Sequence, residues 1–186
     1  MKKTVYYLLA IIIIATAASS CKRKVVKGEG SMQTEERSVT PFTSVVIDMP
    51  LEAHIHVGNG TGAPALQIKA QKNLLKEVKV EVTNGVLRLY TEKLFHFSSD
   101  EDIIVEINMP QILALTIKGA GDANVDGTVA GESFEVKVSG AADVDIQNIT
   151  TNKFVATLSG AGDVDGEPGR PAHNRFGRYK SLWFTS

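Results

Sequence analysis

The chain has 186 residues, a formal net charge of -1 at neutral pH, 16 glycines and 6% aromatic side chains. Its one cysteine, Cys21, excludes a disulfide within the chain and argues against a cysteine-based zinc site. Nothing in the near-balanced charge is basic enough to suggest nucleic-acid binding, and abundant glycine suits short strands and tight turns.

The charge is unevenly placed. Residues 92–167 hold 14 acidic and 4 basic side chains, whereas residues 168–186 hold 4 basic and no acidic ones. A solvated acidic surface is the simplest reading of the first stretch, with cation binding as the functional alternative.

Lys2 and Lys3 precede an apolar run from Val5 to Ala18, and Ser19 and Ser20 lead into Cys21. This pattern predicts a secretory signal peptide over residues 1–20, since the run is shorter than the ~20 residues of a membrane span. Ala18-Ser-Ser-Cys21 resembles the lipobox of bacterial lipoproteins, with alanine where leucine is commonest. The resemblance implies cleavage before Cys21 and lipid attachment there, so that the membrane is a partner through the anchor. Lys22, Arg23, Lys24 and Lys27 follow, and basic residues beside an anchor favour anionic headgroups by about 1 kcal/mol each. Residues 21–40 are expected to be a flexible tether. No aspartate follows Cys21, and no acidic cluster resembling a surface-export tag is present. By that analogy the outer membrane's periplasmic face is expected ahead of the cell surface.

A single all-β domain is expected over residues 41–166. Val45-Val-Ile47 is an apolar run broken by Pro50, and Ala53, Ile55 and Val57 then alternate with His54 and His56. Gly58-Asn-Gly60 marks a turn, and residues 65–70 alternate again. Asn73-Leu-Leu-Lys-Glu77 predicts one helical turn capped by Asn73. Val78, Val80 and Val82 lead to Asn84-Gly85, a hairpin signal, and Leu87 and Leu89 return from it. Ile103, Val105 and Ile107 form a strand ended by Pro110. His54 and His56 share one strand face, a spacing used by some metal sites. No third ligand is identifiable, so they are expected as outer-face residues with no metal.

The second half repeats itself. Ile117-Lys-Gly-Ala-Gly-Asp122 returns as Val138-Ser-Gly-Ala-Ala-Asp143 and Leu158-Ser-Gly-Ala-Gly-Asp163. Gly119, Gly140 and Gly160 are 21 and 20 residues apart, each preceded by a large apolar residue: Leu113, Phe134 and Phe154. A fixed period near 20 predicts the stacked turns of a parallel solenoid. Gly119, Gly121, Gly140, Gly160 and Gly162 then make structural corners. Asp122, Asp143 and Asp163 cap them through backbone N–H groups. The alternative role for Asp122, Asp126, Asp143, Asp145, Asp163 and Asp165 is calcium ligation. A period of 20 is not the nine of calcium-binding repeats, so capping is the preferred reading.

These corners, with Val45-Val-Ile-Asp48, Asn73-Leu-Leu75, Asn84-Gly85-Val-Leu-Arg-Leu-Tyr90 and Ile112–Asp122, resemble the autotransporter-adhesin head GIN domain family over about residues 42–166. Its members include many secreted and lipid-anchored proteins of Bacteroidetes. The resemblance implies a right-handed parallel β-helix-like solenoid, similar to pectate lyases, with no catalytic residues and no cofactor. It also implies adhesion, with trimers as a homo-oligomeric form. Such a fold does not carry function by itself. The function expected is a non-catalytic envelope lipoprotein acting as an adhesin or structural domain. The alternative is a periplasmic scaffold or binding module for a glycan or protein ligand. A carbohydrate-active enzyme ranks lower, because residues 92–167 contain no arginine to act as base.

The pattern stops after Asp165, and residues 167–186 are aperiodic, basic and aromatic. They read either as a cap over the end of the repeats or as the product of a changed reading frame, the latter preferred.

Overall fold

A computed structural model describes residues 24–58, 63–92, 95–98 and 101–168. The predicted signal peptide, Cys21, His96 as a side chain and the tail beyond Pro168 lie outside the residues whose side chains it describes. Among the described residues no helix is long and apolar enough to cross a membrane.

The elements are strands β1 (Lys24–Lys27), β2 (Met32–Arg37), β3 (Ser44–Asp48), β4 (Leu51–Val57) and β5 (Ala65–Gln71), then a single helical turn α1 (Lys72–Leu75). There follow β6 (Lys79–Thr83), β7 (Val86–Tyr90), β8 (Phe95–Ser98), β9 (Ile104–Met109), β10 (Ala114–Ala141), β11 (Val144–Ala161) and β12 (Val164–Pro168). The alternation read from sequence decides which faces are buried. On β4, Leu51, Ala53, Ile55 and Val57 point into the core, while Glu52, His54 and His56 are half-buried on the other face.

The sheet corrects the expected parallel β-helix-like solenoid. The chain is all-β, but ten strands form one sheet of mixed pairing that curls into a nearly closed barrel. Along its main path the order is β2-β5-β9-β4-β10-β3-β7-β6, with β11 added to β10 and β12 to β11. Three pairs are antiparallel: β2 with β5, β5 with β9, and β6 with β7. The reason lies in the turns. Asn84 and Gly85 both take positive φ, at 51° and 75°, which is the two-residue turn that reverses a strand onto its predecessor. The 20-residue period constrains only the second half. There β10 pairs in parallel with β11, placing Phe134 beside Phe154, Val138 beside Leu158 and Gly140 beside Gly160.

Strand β10 serves three neighbours because glycines bend it. Residues 114–117 pair with β3, residues 121–127 pair with β4, and residues 123–125 and 128–141 pair with β11. The core includes Ile47, Ile55, Ile68, Leu87, Leu89, Ile107, Leu115 and Phe134, and every buried residue among those described is apolar. The Phe134 and Phe154 rings stack at 5.7 Å.

The stretch expected as a tether contains β1 and β2. β2 pairs with β5, and β1 pairs with β8 in a separate two-stranded sheet. Asn73 explains part of this docking. Its predicted role as helix cap falls to Gln71, which makes no side-chain cap bond. The Asn73 amide instead donates to the Lys27 carbonyl at 2.7 Å, and its oxygen accepts from the Glu29 N–H at 2.8 Å. A side chain that holds both a carbonyl and an N–H of an extended segment satisfies the groups that a paired strand otherwise would.

Candidate functional site

The corners of the repeats form one edge of the site. Gly119, Gly121, Gly140, Gly160 and Gly162 all have φ between 119° and 137°. At Gly140 a Cβ would lie 1.9 Å from the Gly119 carbonyl oxygen, and at Gly160 it would lie 2.0 Å from that of Gly140. The corners therefore stack backbone on backbone, which only glycine permits.

The corner aspartates bond along the same column. Asp122 Oδ1 lies 3.4 Å from the Asp143 N–H nitrogen that donates to it, and Asp143 Oδ1 accepts from the Asp163 N–H at 2.9 Å. Each carboxylate thus holds the next turn. Asp145 and Asp165 are exposed register partners on β11 and β12. Among the described residues no group of three or more His, Cys, Asp or Glu is placed to hold a metal ion. Asp143→Ala is expected to lower stability by about 1 kcal/mol, the usual net value of a hydrogen bond, with the urea midpoint unchanged by calcium in either protein. Calcium stabilisation of the parent that Asp143→Ala abolishes would make the column a metal site instead.

Beside the corners lies a polar face carried by β9, β4 and β10. Register places Glu106 and Asn124 on either side of His54, and Asn108 and Asp126 on either side of His56. His56 Nε2 lies 2.9 Å from Glu106 Oε2, and its Nδ1 lies 3.3 Å from Asp126 Oδ2. His54 Nε2 lies 3.2 Å from Glu52. Both nitrogens of His56 face carboxylate oxygens, and the nitrogen that carries a proton donates to the acid it faces. Gln67 on β5 extends the row by donating to Glu36 on β2 at 3.0 Å.

A groove of about 280 Å³ opens where this face meets the corner at Gly121. Glu52, Glu101, Asp102 and Asp122 line it together with Leu51, Leu74 and Ile103. Further round the sheet, Arg88 donates to Asp48 at 2.5 Å and lies 4.4 Å from the centre of the Tyr90 ring. The hydrogen bond that Arg88 donates to Asp48 is the main cause that raises the guanidinium above its ordinary range.

Sequence reasoning placed His54 and His56 on one face but missed Glu106 and Asp126 as partners of His56. Glu106 alternates with Val105 and Ile107 in the predicted strand, which was the available signal. Gly127 and Gly131, at φ 92° and 136°, are further bends that the three-fold motif hides. The Gly127 N–H donates to Gln147 at 2.7 Å.

Comparison by sequence matches residues 41–174 to the family described as "Putative auto-transporter adhesin, head GIN domain". The chain belongs to this family. No curated protein matches the sequence. Among solved structures, the head GIN domain chain is similar to a "putative adhesin" from Bacteroides fragilis NCTC 9343, at 21% identity and a TM-score of 0.71. That match covers 77% of this chain and 66% of the other, just under two thirds of it. A "putative lipid binding protein" from Parabacteroides distasonis ATCC 8503 follows, at 16% identity and a TM-score of 0.61, covering 78% of this chain and 70% of that one. A "putative adhesin" from the same strain matches at 20% identity and a TM-score of 0.56, with 78% and 70% coverage. At these identities the likeness is one of fold. The adhesin-like family is one of envelope or surface proteins.

Proposed function

We propose that this head GIN domain is a non-catalytic module of the bacterial cell envelope, lipid-anchored at Cys21, whose outward polar face makes adhesive or structural contacts with a glycan or protein. The observation that carries the reading is the way the acidic groups are engaged. Glu106, Asp126 and Glu52 face His56 and His54, and Asp122 and Asp143 accept backbone N–H groups of the next turn. A surface whose charges are held by one another on rigid strands suits contact, whereas hydrolysis of a glycoside needs two acids free to meet the substrate. Family membership supports the adhesive side of the reading.

The anchor reading is supported by the lipobox resemblance and by the basic residues that follow Cys21. Cells making the full chain are expected to incorporate radiolabelled palmitate into it, and Cys21→Ser is expected to abolish the label and move the protein to the soluble fraction. An unlabelled parent protein overturns the anchor. Protease added to intact and lysed cells then separates the two kinds of contact. Digestion on intact cells supports adhesion outside the cell. Protection until lysis supports a scaffold at the periplasmic face of the outer membrane, the side favoured by the absence of an acidic export cluster after Cys21.

A further inference from the structure

The turn that joins β6 to β7 brings the parts of a chemical reaction together. Its central residues are Asn84 and Gly85, and the last ladder pair before them is Thr83 with Val86. Two consecutive positive φ values make Asn-Gly the favoured pair for such a turn. The same pair sets a side-chain amide beside an unshielded backbone nitrogen. Asn84 is exposed, and among the described residues no hydrogen bond holds its amide. Gly85 has no side chain to cover its nitrogen, and a Cβ built there would meet nothing within 4 Å. The hairpin also lies at a border of the sheet, because β6 pairs with β7 alone. A border hairpin opens locally at far smaller cost than the whole domain. The other described asparagines differ. Asn73 is held by two hydrogen bonds, and Asn108, Asn124 and Asn148 precede Met109, Val125 and Ile149, whose side chains crowd the nitrogen that follows.

We propose that Asn84 is a site of spontaneous covalent modification, deamidation through a succinimide with water as the co-reactant. The Gly85 backbone nitrogen attacks Cγ of Asn84, and the new N–C bond closes the succinimide ring. The proton of that nitrogen passes through solvent to the side-chain nitrogen, whose bond to Cγ breaks and which leaves as ammonia. Water then adds to either ring carbonyl and breaks its bond to the Gly85 nitrogen. Opening at Cγ leaves aspartate on an unchanged main chain. Opening at the main-chain carbonyl leaves isoaspartate, whose main chain runs through the former side chain. The two products act differently on the fold. Aspartate keeps the turn, because Asp-Gly takes the same two conformations. Isoaspartate adds a methylene to the main chain inside the turn and displaces the Gly85 carbonyl. That carbonyl accepts from the Thr43 N–H at 2.9 Å and the Ser44 N–H at 3.2 Å, where the chain enters β3. Val45 and Ile47, directly beyond, are buried in the core. The modification therefore loosens the entry of β3 as well as the hairpin itself.

The test holds the full chain for days at mildly alkaline pH, native and in urea, then digests it and reads each asparagine peptide by mass. The Asn59-Gly60 pair, which lies outside the described residues, is read as a separate peptide. In the native protein Asn84 is expected to gain the mass of an amide-to-acid exchange well ahead of Asn108, Asn124 and Asn148, at a rate within several-fold of that in urea. Isoaspartate, recognised by its main-chain fragmentation, is expected to exceed aspartate. The urea midpoint of the aged protein is expected to fall, and Asn84→Gly, which suits the same turn and carries no amide, is expected to fall less. Conversion of Asn84 in urea but not in the native protein overturns the proposal, since the fold would then protect the turn. Conversion no faster at Asn84 than at Asn124 overturns it too, because the turn would confer no selectivity. An isoaspartate-bearing fraction that unfolds at the parent's urea midpoint overturns the coupling to β3. The mass measurement needs no variant, so it decides the site even if Asn84→Gly folds poorly.

Discussion

Gly140→Ala is expected to be the most damaging single methyl that can be added to this chain. The new Cβ would sit 1.9 Å from the Gly119 carbonyl oxygen and 2.8 Å from its carbon, both fixed backbone atoms. Residue 140 also has φ of 137°, where an L side chain is strained by ~1–3 kcal/mol before any clash is counted. Relief requires the two turns of β10 to separate, which pulls the Glu135 N–H away from the Leu113 carbonyl it donates to. A loss above about 3 kcal/mol is expected, enough to leave a marginally stable domain largely unfolded. Gly119→Ala is the control. Its φ of 119° is also strained, but a Cβ there meets nothing within 4 Å. Urea denaturation of the two variants measures the difference. Equal losses would mean that the stacked carbonyl plays no part and that backbone strain alone makes the corner glycine necessary.

Phe134→Ala is expected to cost about 3–5 kcal/mol, the range for truncating a buried aromatic. The side chain is fully buried, and its ring stacks on Phe154 at 5.7 Å. Leu115, Val129 and Val136 of the same buried cluster are held on β10, which limits how far the core can close into the space. Phe154→Ala removes the other half of the stack from a position that is only half-buried, so its loss is expected to be clearly smaller. The two variants compared by thermal and urea unfolding give the ordering. If Phe154→Ala proved the costlier, Phe154 would be more deeply covered in the full chain than β10–β12 make it, which would point to residues beyond Pro168.

The repeat register was legible because the sequence writes it three times. Phe134 aligns with Phe154 and Gly140 with Gly160 in the ladder, as the 20-residue spacing requires. The alternation around Leu51–Val57 and Val86–Tyr90 likewise located strands and their buried faces. What periodicity could not supply was direction. Whether a strand returns antiparallel depends on its connections, and a period confined to residues 113–165 says nothing about β2, β5 or β6. The Asn84-Gly85 turn did carry that information locally, since two consecutive positive φ values reverse the chain. Extending the parallel rule across the whole domain passed over it. The partners of His56 were hidden for a related reason. Glu106, His56 and Asp126 are far apart in sequence and meet only when β9, β4 and β10 are set side by side. Asn73 was read as a cap from its residue type, but the turn begins one residue earlier, at Lys72, and the amide is turned to the β1–β2 segment.

That use of Asn73 limits reach. With Lys27 and Glu29 held by its amide and β2 zipped to β5, the chain is committed to the domain from Lys24 onward. Between Cys21 and Lys24 the backbone can span no more than about 10 Å, against roughly 65 Å if residues 21–40 hung free. Were Cys21 to carry the proposed anchor, it would hold the domain close, as a stud rather than a fishing line, and a second surface could then touch the molecule only by approaching the membrane to within about the thickness of the domain itself.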